Sequence, residues 1–265
     1  MPIRANPIGR FLRVGALIGA LGLQALRAAD GAPYVGLRDG ESLTYSVRWG
    51  PILSVGRIRI GAEQVGSGPD AVMRVTTVTS TSGLARGLFA FDAKGVSTYQ
   101  ISSGLLLSSS EESAYRNKVI RNSLVFDYAK HTARFTDEVH PEKSRSLSLP
   151  DGNPSDLILA LVRTRSWNLG MGDSRDALVI FEDQFYPLTI RPEDTEPLVC
   201  DLGVFDTVVL RPRMEKTPPI GMFKRGSTVR VWIETNDARR LPVRFEVGFR
   251  FGAGTATLTD YTPPK

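Results

Sequence analysis

The chain has 265 residues, of which 42% are hydrophobic. This is enough for one large or two small domains with a packed core, and it excludes an intrinsically disordered protein. The net charge is +5, but residues 1–28 carry four arginines and no acid, so the rest of the chain carries only +1. The charge therefore gives no reason to expect nucleic acid or an anionic membrane as a partner.

The first segment resembles an export signal. Residues 1–13 are basic, residues 14–26 are almost wholly apolar, and small residues follow. This order is typical of a secretory signal peptide, and the apolar run is shorter than the roughly 20 residues that a membrane-spanning helix needs. We therefore expect residues 1–28 to be removed and residues 29–265 to form one β-rich domain without a transmembrane segment. That domain would lie in the periplasm or envelope of a Gram-negative-type bacterium; the alternative is an uncleaved N-terminal anchor.

Alternating apolar and polar residues predict strands through most of the mature chain. The pattern is clearest in Leu43–Trp49, Ile120–Tyr128, Thr228–Glu234 and Leu241–Phe251. Two further glycines, at 252 and 254, predict a tight turn into a last strand. Many short strands separated by turn residues indicate a mainly β fold. We expect an antiparallel meander curled into an open barrel or two packed sheets.

One helix is predicted to interrupt the strands, at about residues 154–168. Asn153 suits the N-cap position and Pro154 the first helical position. Residues 157–162 are apolar on every side, which is typical of a buried helix. Either of the next two glycines could end it.

The sequence carries no strong metal or thiol signature. His131 and His140 are the only histidines, nine residues apart in a polar stretch that indicates solvated loops better than a metal site. Cys200 is the only cysteine and is expected to be a buried structural thiol. We expect no metal and no cofactor.

No catalytic constellation is recognisable either. The chain lacks a nucleophile elbow and a P-loop. Carboxylates such as Glu111, Glu112, Glu182 and Asp183 could serve glycoside hydrolysis, but solvated strand faces and turns explain them more simply. We therefore expect a protein that is not an enzyme, with a hydrolase as the remote alternative.

Four residues are candidates for ligand binding. Trp49 and Trp232 lie on predicted strands, where they either pack in a core or line an apolar cavity. Asp237 and Arg240 lie between two strands, where they either form a hairpin turn or a polar rim that grips a headgroup. In the hairpin interpretation, Arg239 pairs with Asp237 across the turn.

At this point the sequence resembles the exported bacterial family called domain of unknown function 3108. The segment GMFKRGSTVRVWIETNDARRLPVRFEVGFRFGAGTATL is similar to its closing signature, with one extra residue between Trp232 and Asp237. The positions that match there are Phe223, Gly226, Trp232, Asp237, Arg240, Pro242 and Gly252. In SDLILALVRTRSWNLGMGD, the matching residues are Asp156, Arg163 and Gly172. Two further segments, LTYSVRWGPILSVGRIRI and GLARGLFAFDAKGVSTYQ, fit the same pattern. The resemblance implies an exported β-rich protein and supplies no activity.

These observations favour a non-enzymatic envelope protein that binds an apolar or amphipathic molecule, or a polymer, in the concavity of its sheet. The alternative is an interaction module that assists an envelope assembly, with the proline-rich segment Pro212–Lys224 as a contact surface. The partners would be a lipid or amphiphile in the first case and an envelope protein in the second. A cavity of about 300–1,000 Å³ would favour the binding protein.

Overall fold

The computed structural model describes residues 36–50, 53–88, 90–115, 118–220, 223, 227–249 and 252–265. The predicted signal peptide lies outside these residues. Within them, no helix has both the length and the apolar character needed to cross a membrane.

Strands dominate the described part of the chain, and two short α-helices interrupt them. The helices are α1 (Gly83–Leu88) and α2 (Leu157–Arg163), and 3₁₀ turns span Gly68–Asp70, Pro141–Lys143 and Thr164–Ser166. The strands are β1 (Ser42–Trp49), β2 (Leu53–Val65), β3 (Val72–Thr81), β4 (Phe91–Gln100), β5 (Leu106–Tyr115), β6 (Lys118–Asp127), β7 (Thr132–Asp137), β8 (Arg145–Ser148), β9 (Ser155–Asp156), β10 (Arg175–Phe181), β11 (Gln184–Cys200), β12 (Gly203–Arg213), β13 (Thr228–Glu234), β14 (Pro242–Phe249) and β15 (Gly252–Thr262).

These strands form one sheet in which nearly all neighbouring strands are also consecutive in the chain. The order is β8-β7-β6-β5-β4-β3-β2-β1-β15-β14-β13-β12-β11-β10-β9, so the first strand pairs with the last. The described pairs are antiparallel apart from β9 with β10. Strands β8 and β9 remain as open edges. The predicted antiparallel meander, curled and not closed, is confirmed.

The sheet curls around α2. One apolar cluster collects side chains from strands far apart in the order, among them Leu147 of β8, Phe126 of β6 and Ile180 of β10. Leu159 and Val162 of α2 belong to the same cluster. The other side of α2 packs on a second cluster, formed mainly by β10 to β13. The helix is therefore buried on two sides, as its all-round apolar sequence predicts.

The predicted bounds of this helix were wrong. Asn153 and Pro154 lie before it, because the next two residues pair with β10 as a short parallel strand. Asp156 is the N-cap, and its carboxylate accepts a hydrogen bond of 2.9 Å from the backbone N–H of Leu159. The α-helix ends at Arg163 and continues as a 3₁₀ turn, well before the glycines that were expected to end it.

Three smaller expectations also need correction. Gly252 and Gly254 lie inside β15 and do not form a turn. Cys200 is half-buried at the end of β11, where it packs against the edge of the core. The described part of Pro212–Lys224 is a loop only beyond Arg213, because β12 continues to that residue.

Gly56 is a site where we expect a small substitution to be damaging. A Cβ at this position of β2 would collide with the backbone carbonyl of Ser80 on β3. We predict that Gly56→Ala destabilises the protein by about 1–3 kcal/mol, as overpacking of a filled site usually does. The matched control is Gly61→Ala on the same strand, whose new Cβ would lie at an ordinary 3.7 Å from Ser42. Equal denaturation midpoints for the two variants would contradict the prediction.

Candidate functional site

A cleft of about 320 Å³ opens on the concave face of the sheet. Its floor is formed by β3, β4, β5 and β6, and its roof by the start of α2 and the end of β10. The lining residues include Thr77, Thr79, Phe91, Ala93, Gly95, Ser97, Ser109, Glu111, Asn122, Leu124, Asp156, Leu157, Ile158, Ile180, Phe181 and Glu182. The cleft lies where the sequence analysis placed a ligand, in the concavity of the sheet, and its volume falls in the range typical of ligand sites.

The floor presents polar side chains in cross-strand rows. One row runs Thr77, Gly95, Glu111 and Asn122 across four neighbouring strands. A second row, closer to the core, includes Ser97, Ser109 and Leu124. Because successive residues of a strand point to opposite faces, the charged neighbours Lys94, Glu112 and Arg121 lie on the outside. The floor of the cleft is therefore largely polar, whereas Ile158, Ile180 and Phe181 of the roof are apolar.

Hydrogen bonds from both ends of α2 hold the roof over this floor. The hydroxyl of Tyr99 on β4 donates to the carboxylate of Asp156 at the N-cap. Arg163, at the other end, donates to Ser155 Oγ at 2.6 Å and to the carbonyl of Gly104 at 2.7 Å. Burial and the adjacent Asp156 raise the pKa of Tyr99 well above its ordinary value, so it remains a donor. The roof is thus fixed to the turn between β4 and β5.

Two neighbouring carboxylates line the cleft, Glu111 on the floor and Glu182 just after β10. Burial raises the pKa of Glu111, and the charge of Glu182 raises it further, whereas a hydrogen bond from Ser113 lowers it. Glu182 is exposed in the turn between β10 and β11, in a left-handed conformation with φ of 54°. The next residue, Asp183, is neutralised by an ion pair with Arg145 of β8. This ion pair links the open edge of the sheet to the roof.

Behind α2, the other half of the concavity is filled. The space there measures only about 30 Å³, and its lining of leucine, valine, tryptophan and phenylalanine side chains is almost entirely apolar. Since α2 divides the concave face into a filled half and an open half, the open cleft is the candidate functional site.

The two tryptophans that the sequence analysis singled out do not line this cleft. Trp232 is buried on the face of β13 opposite to Val231 and Ile233, and its indole N–H donates to Glu196 at 2.6 Å. Trp49 lies at the end of β1, 43% exposed, with its ring against Gly254. The structure therefore does not bring the four candidate residues together at one cavity.

Asp237 and Arg240 form a turn that positions α2. Arg239 pairs with Asp237 at 2.7 Å, as expected from the hairpin interpretation, and this contact lowers the pKa of Asp237 to about 2. Arg240 has a φ of 45° and donates to the carbonyls of Arg165 and Trp167, at 3.0 and 3.2 Å. These bonds anchor the 3₁₀ turn that follows α2.

Other candidates from the sequence are scattered. His131 and His140 are exposed and lie outside the cleft, and the described residues contain no group of metal-binding side chains. Glu111 and Glu182 had been named only as possible catalytic carboxylates, and the curl of the sheet brings them to one cleft. Ser97 was missed because a serine on a strand carries no functional signal until its surroundings are known.

A family model described as "Protein of unknown function (DUF3108)" matches residues 44–259. The chain belongs to this family. Among curated proteins, none matches. The family match includes the strands that line the cleft and the whole of α2, so both belong to the family's own domain.

One solved structure is similar to this DUF3108 domain in fold, and two others align with lower TM-scores. A "Beta-barrel-like Protein of Domain of Unknown Function DUF1849" from Brucella abortus aligns with a TM-score of 0.54 at 7% identity, covering 86% of this chain and 98% of that chain. A protein described as exported, with a YmcC-like fold, from Bacteroides fragilis aligns with a TM-score of 0.34 at 8% identity, covering 87% of this chain and 99% of the other. A protein described as a lipoprotein from Parabacteroides distasonis aligns with a TM-score of 0.32 at 9% identity, covering 88% of this chain and all of the other. The first of these shows a shared fold and nothing more.

Proposed function

We propose that this protein is a non-enzymatic binding protein of the bacterial envelope and that an amphipathic molecule occupies its concave cleft. The observation that carries the proposal is the cleft itself. It opens beside a filled core, it has the volume of a small-ligand site, and it combines a largely polar floor with an apolar roof. The signal-like sequence of residues 1–28 supports the periplasm or cell envelope as the location.

The apolar roof of the cleft supports binding of a hydrocarbon chain. Ile158, Ile180 and Phe181 line the roof, and Leu124 lies on the floor in the row closer to the core. Removal of apolar ligand surface from water stabilises a complex by about 25 cal/mol per Å² before the cost of association is subtracted. Because hydrogen bonds hold the roof in place, this surface is already formed before a ligand enters.

Native mass spectrometry tests the proposal. The protein would be purified from a periplasmic extract, weighed, and then extracted with solvent to release anything that travels with it. We expect a reproducible lipid or amphiphile, and we expect Gly95→Leu to lose it because the new side chain fills the floor of the cleft. The control is Val96→Leu, the next residue on β4, which faces the outside. Retention by Gly95→Leu, or a cargo-free parent protein that also binds no added amphiphile, would overturn the proposal.

A hydrolase is the second candidate, because Glu111 and Glu182 converge at the cleft and the pKa of Glu111 is raised. Glycosidases use such a pair, with one carboxyl group protonated and the other ionised. However, Glu182 is exposed in a turn, and no described residue donates a hydrogen bond to its carboxylate that would fix its geometry. Turnover of an oligosaccharide that Glu111→Gln abolishes would favour this candidate over the binding protein.

A further inference from the structure

The charged groups that line the cleft all have the same sign. They are Glu111, Asp156 and Glu182, and no lysine, arginine or histidine is among the lining residues. Asp156 is satisfied, since the N–H of Leu159 and the hydroxyl of Tyr99 donate to its two oxygens. Glu111 and Glu182 therefore supply the negative charge available to a ligand.

The basic residues nearest to Glu111 and Glu182 are turned away from the cleft or form ion pairs elsewhere. The side chain of Lys94 lies on the outer face of β4. Arg121 pairs with Glu112 and Glu138 on the outer face, at 3.0 and 3.7 Å. Arg145 is held by Asp183. No described cation forms an ion pair with either Glu111 or Glu182.

Ser97 gives an independent sign that a polar group enters the cleft. Its side chain is nine-tenths buried, lines the cleft beside Ser109, and forms no hydrogen bond with any described residue. A buried hydroxyl without a partner is costly, and such groups are usually met by water or a ligand. The unpartnered hydroxyl and the two carboxylates line the same cleft.

On the basis of the proposed function, we infer that the amphiphile bound in this cleft carries a cationic, alkylammonium-type polar end, which lies between Glu111 and Glu182. An ammonium group has three donors and no acceptor, so it complements carboxylate and hydroxyl oxygens. It also relieves the repulsion between the partly buried Glu111 and the exposed Glu182, which is one of the causes of the raised pKa of Glu111. An anionic headgroup would add a third negative charge to the same place.

Three probes with the same eight-carbon chain distinguish the contribution of the headgroup to affinity from that of the hydrocarbon chain. Octylamine, octanol and octanoate would be titrated into the purified protein at neutral pH by isothermal calorimetry. We expect octylamine to bind at least tenfold more tightly than octanol, and octanoate to bind most weakly. The double variant Glu111→Gln/Glu182→Gln should lower the octylamine affinity at least tenfold and leave octanol binding unchanged, which also shows that the variant is folded.

The matched control is Glu112→Gln, one residue along the same strand but on the outer face. It should leave the order of the three affinities unchanged. If octanol or octanoate binds as tightly as octylamine, the cationic headgroup is wrong while the binding function stands. If none of the three probes binds, the proposed function and this inference fall together.

Discussion

Arg165→Met should lower the free energy of unfolding by about 3–5 kcal/mol, because it leaves a buried carboxylate without its counter-ion. Arg165 is 8% exposed and Glu41 is completely buried, and their side chains meet at 2.7 Å. The carboxylate also accepts hydrogen bonds from the backbone N–H of Arg38 and from the hydroxyl of Tyr261. After the substitution, only these two neutral donors remain for a charge that water cannot reach.

The position of this pair explains why the effect should extend beyond local stability. Glu41 precedes β1, Tyr261 lies near the end of β15, and Arg165 follows α2. Arg165 also donates to the carbonyl of Arg239 at 3.0 Å, in the turn before β14. One guanidinium thus joins the helix to the place where the first and last strands pair.

Chemical denaturation of Arg165→Met and of Arg86→Met compares the stability lost with a buried ion pair and with an exposed one. Arg86 forms a two-pronged ion pair with Asp92, but both groups are exposed, so its loss should change stability far less. Similar denaturation midpoints for the two variants would mean that the buried carboxylate finds another partner, and the argument for the pair would fail.

The architecture could be predicted because it depends on period-two alternation, which is local in sequence. The face of a strand on which Val229, Val231 and Ile233 lie can be read directly from the chain. Alternation also places Trp232 on the opposite face. It does not tell what each face packs against, and the structure places Trp232 in the main core cluster, with its indole N–H bonded to Glu196.

The candidate site could not be predicted in the same way, because distant segments create it. Glu111 and Glu182 are far apart in sequence and approach each other only because the sheet curls. The predicted bounds of α2 were wrong for a related reason. Asp156 and Asn153 both suit an N-cap by residue type, and pairing of Ser155 with β10 decides between them.

The turn that includes Asp237 and Arg240 belongs to the closing signature of the family, and its role in the structure is architectural. Arg240 holds the carbonyls that follow α2, and α2 forms the roof of the cleft. The part of the family signature with the most recognisable residues therefore positions the candidate site from a distance. The cleft itself is lined mostly by serine, threonine and aliphatic side chains that no motif search would select.

Leu159→Ala should be the most damaging single truncation in α2, with a loss of about 2–5 kcal/mol. Leu159 is completely buried in the main core. The cost of such a cavity depends on how far its surroundings can collapse. Here both ends of the helix are held, by Asp156 to Tyr99 and by Arg163 to Gly104, so little collapse is expected.

The neighbouring truncation Ile158→Ala should affect ligand binding more than stability, in contrast to Leu159→Ala. Ile158 is half-buried and lines the open cleft, so its missing methyl groups enlarge a space that water already reaches. We expect a smaller loss of stability than for Leu159→Ala but a weaker affinity for the octyl probes. If Ile158→Ala instead binds octanol as the parent does, the hydrocarbon chain does not lie beneath α2. If Leu159→Ala unfolds no more easily than Ile158→Ala, α2 is not the rigid divider of the concave face that its contacts indicate.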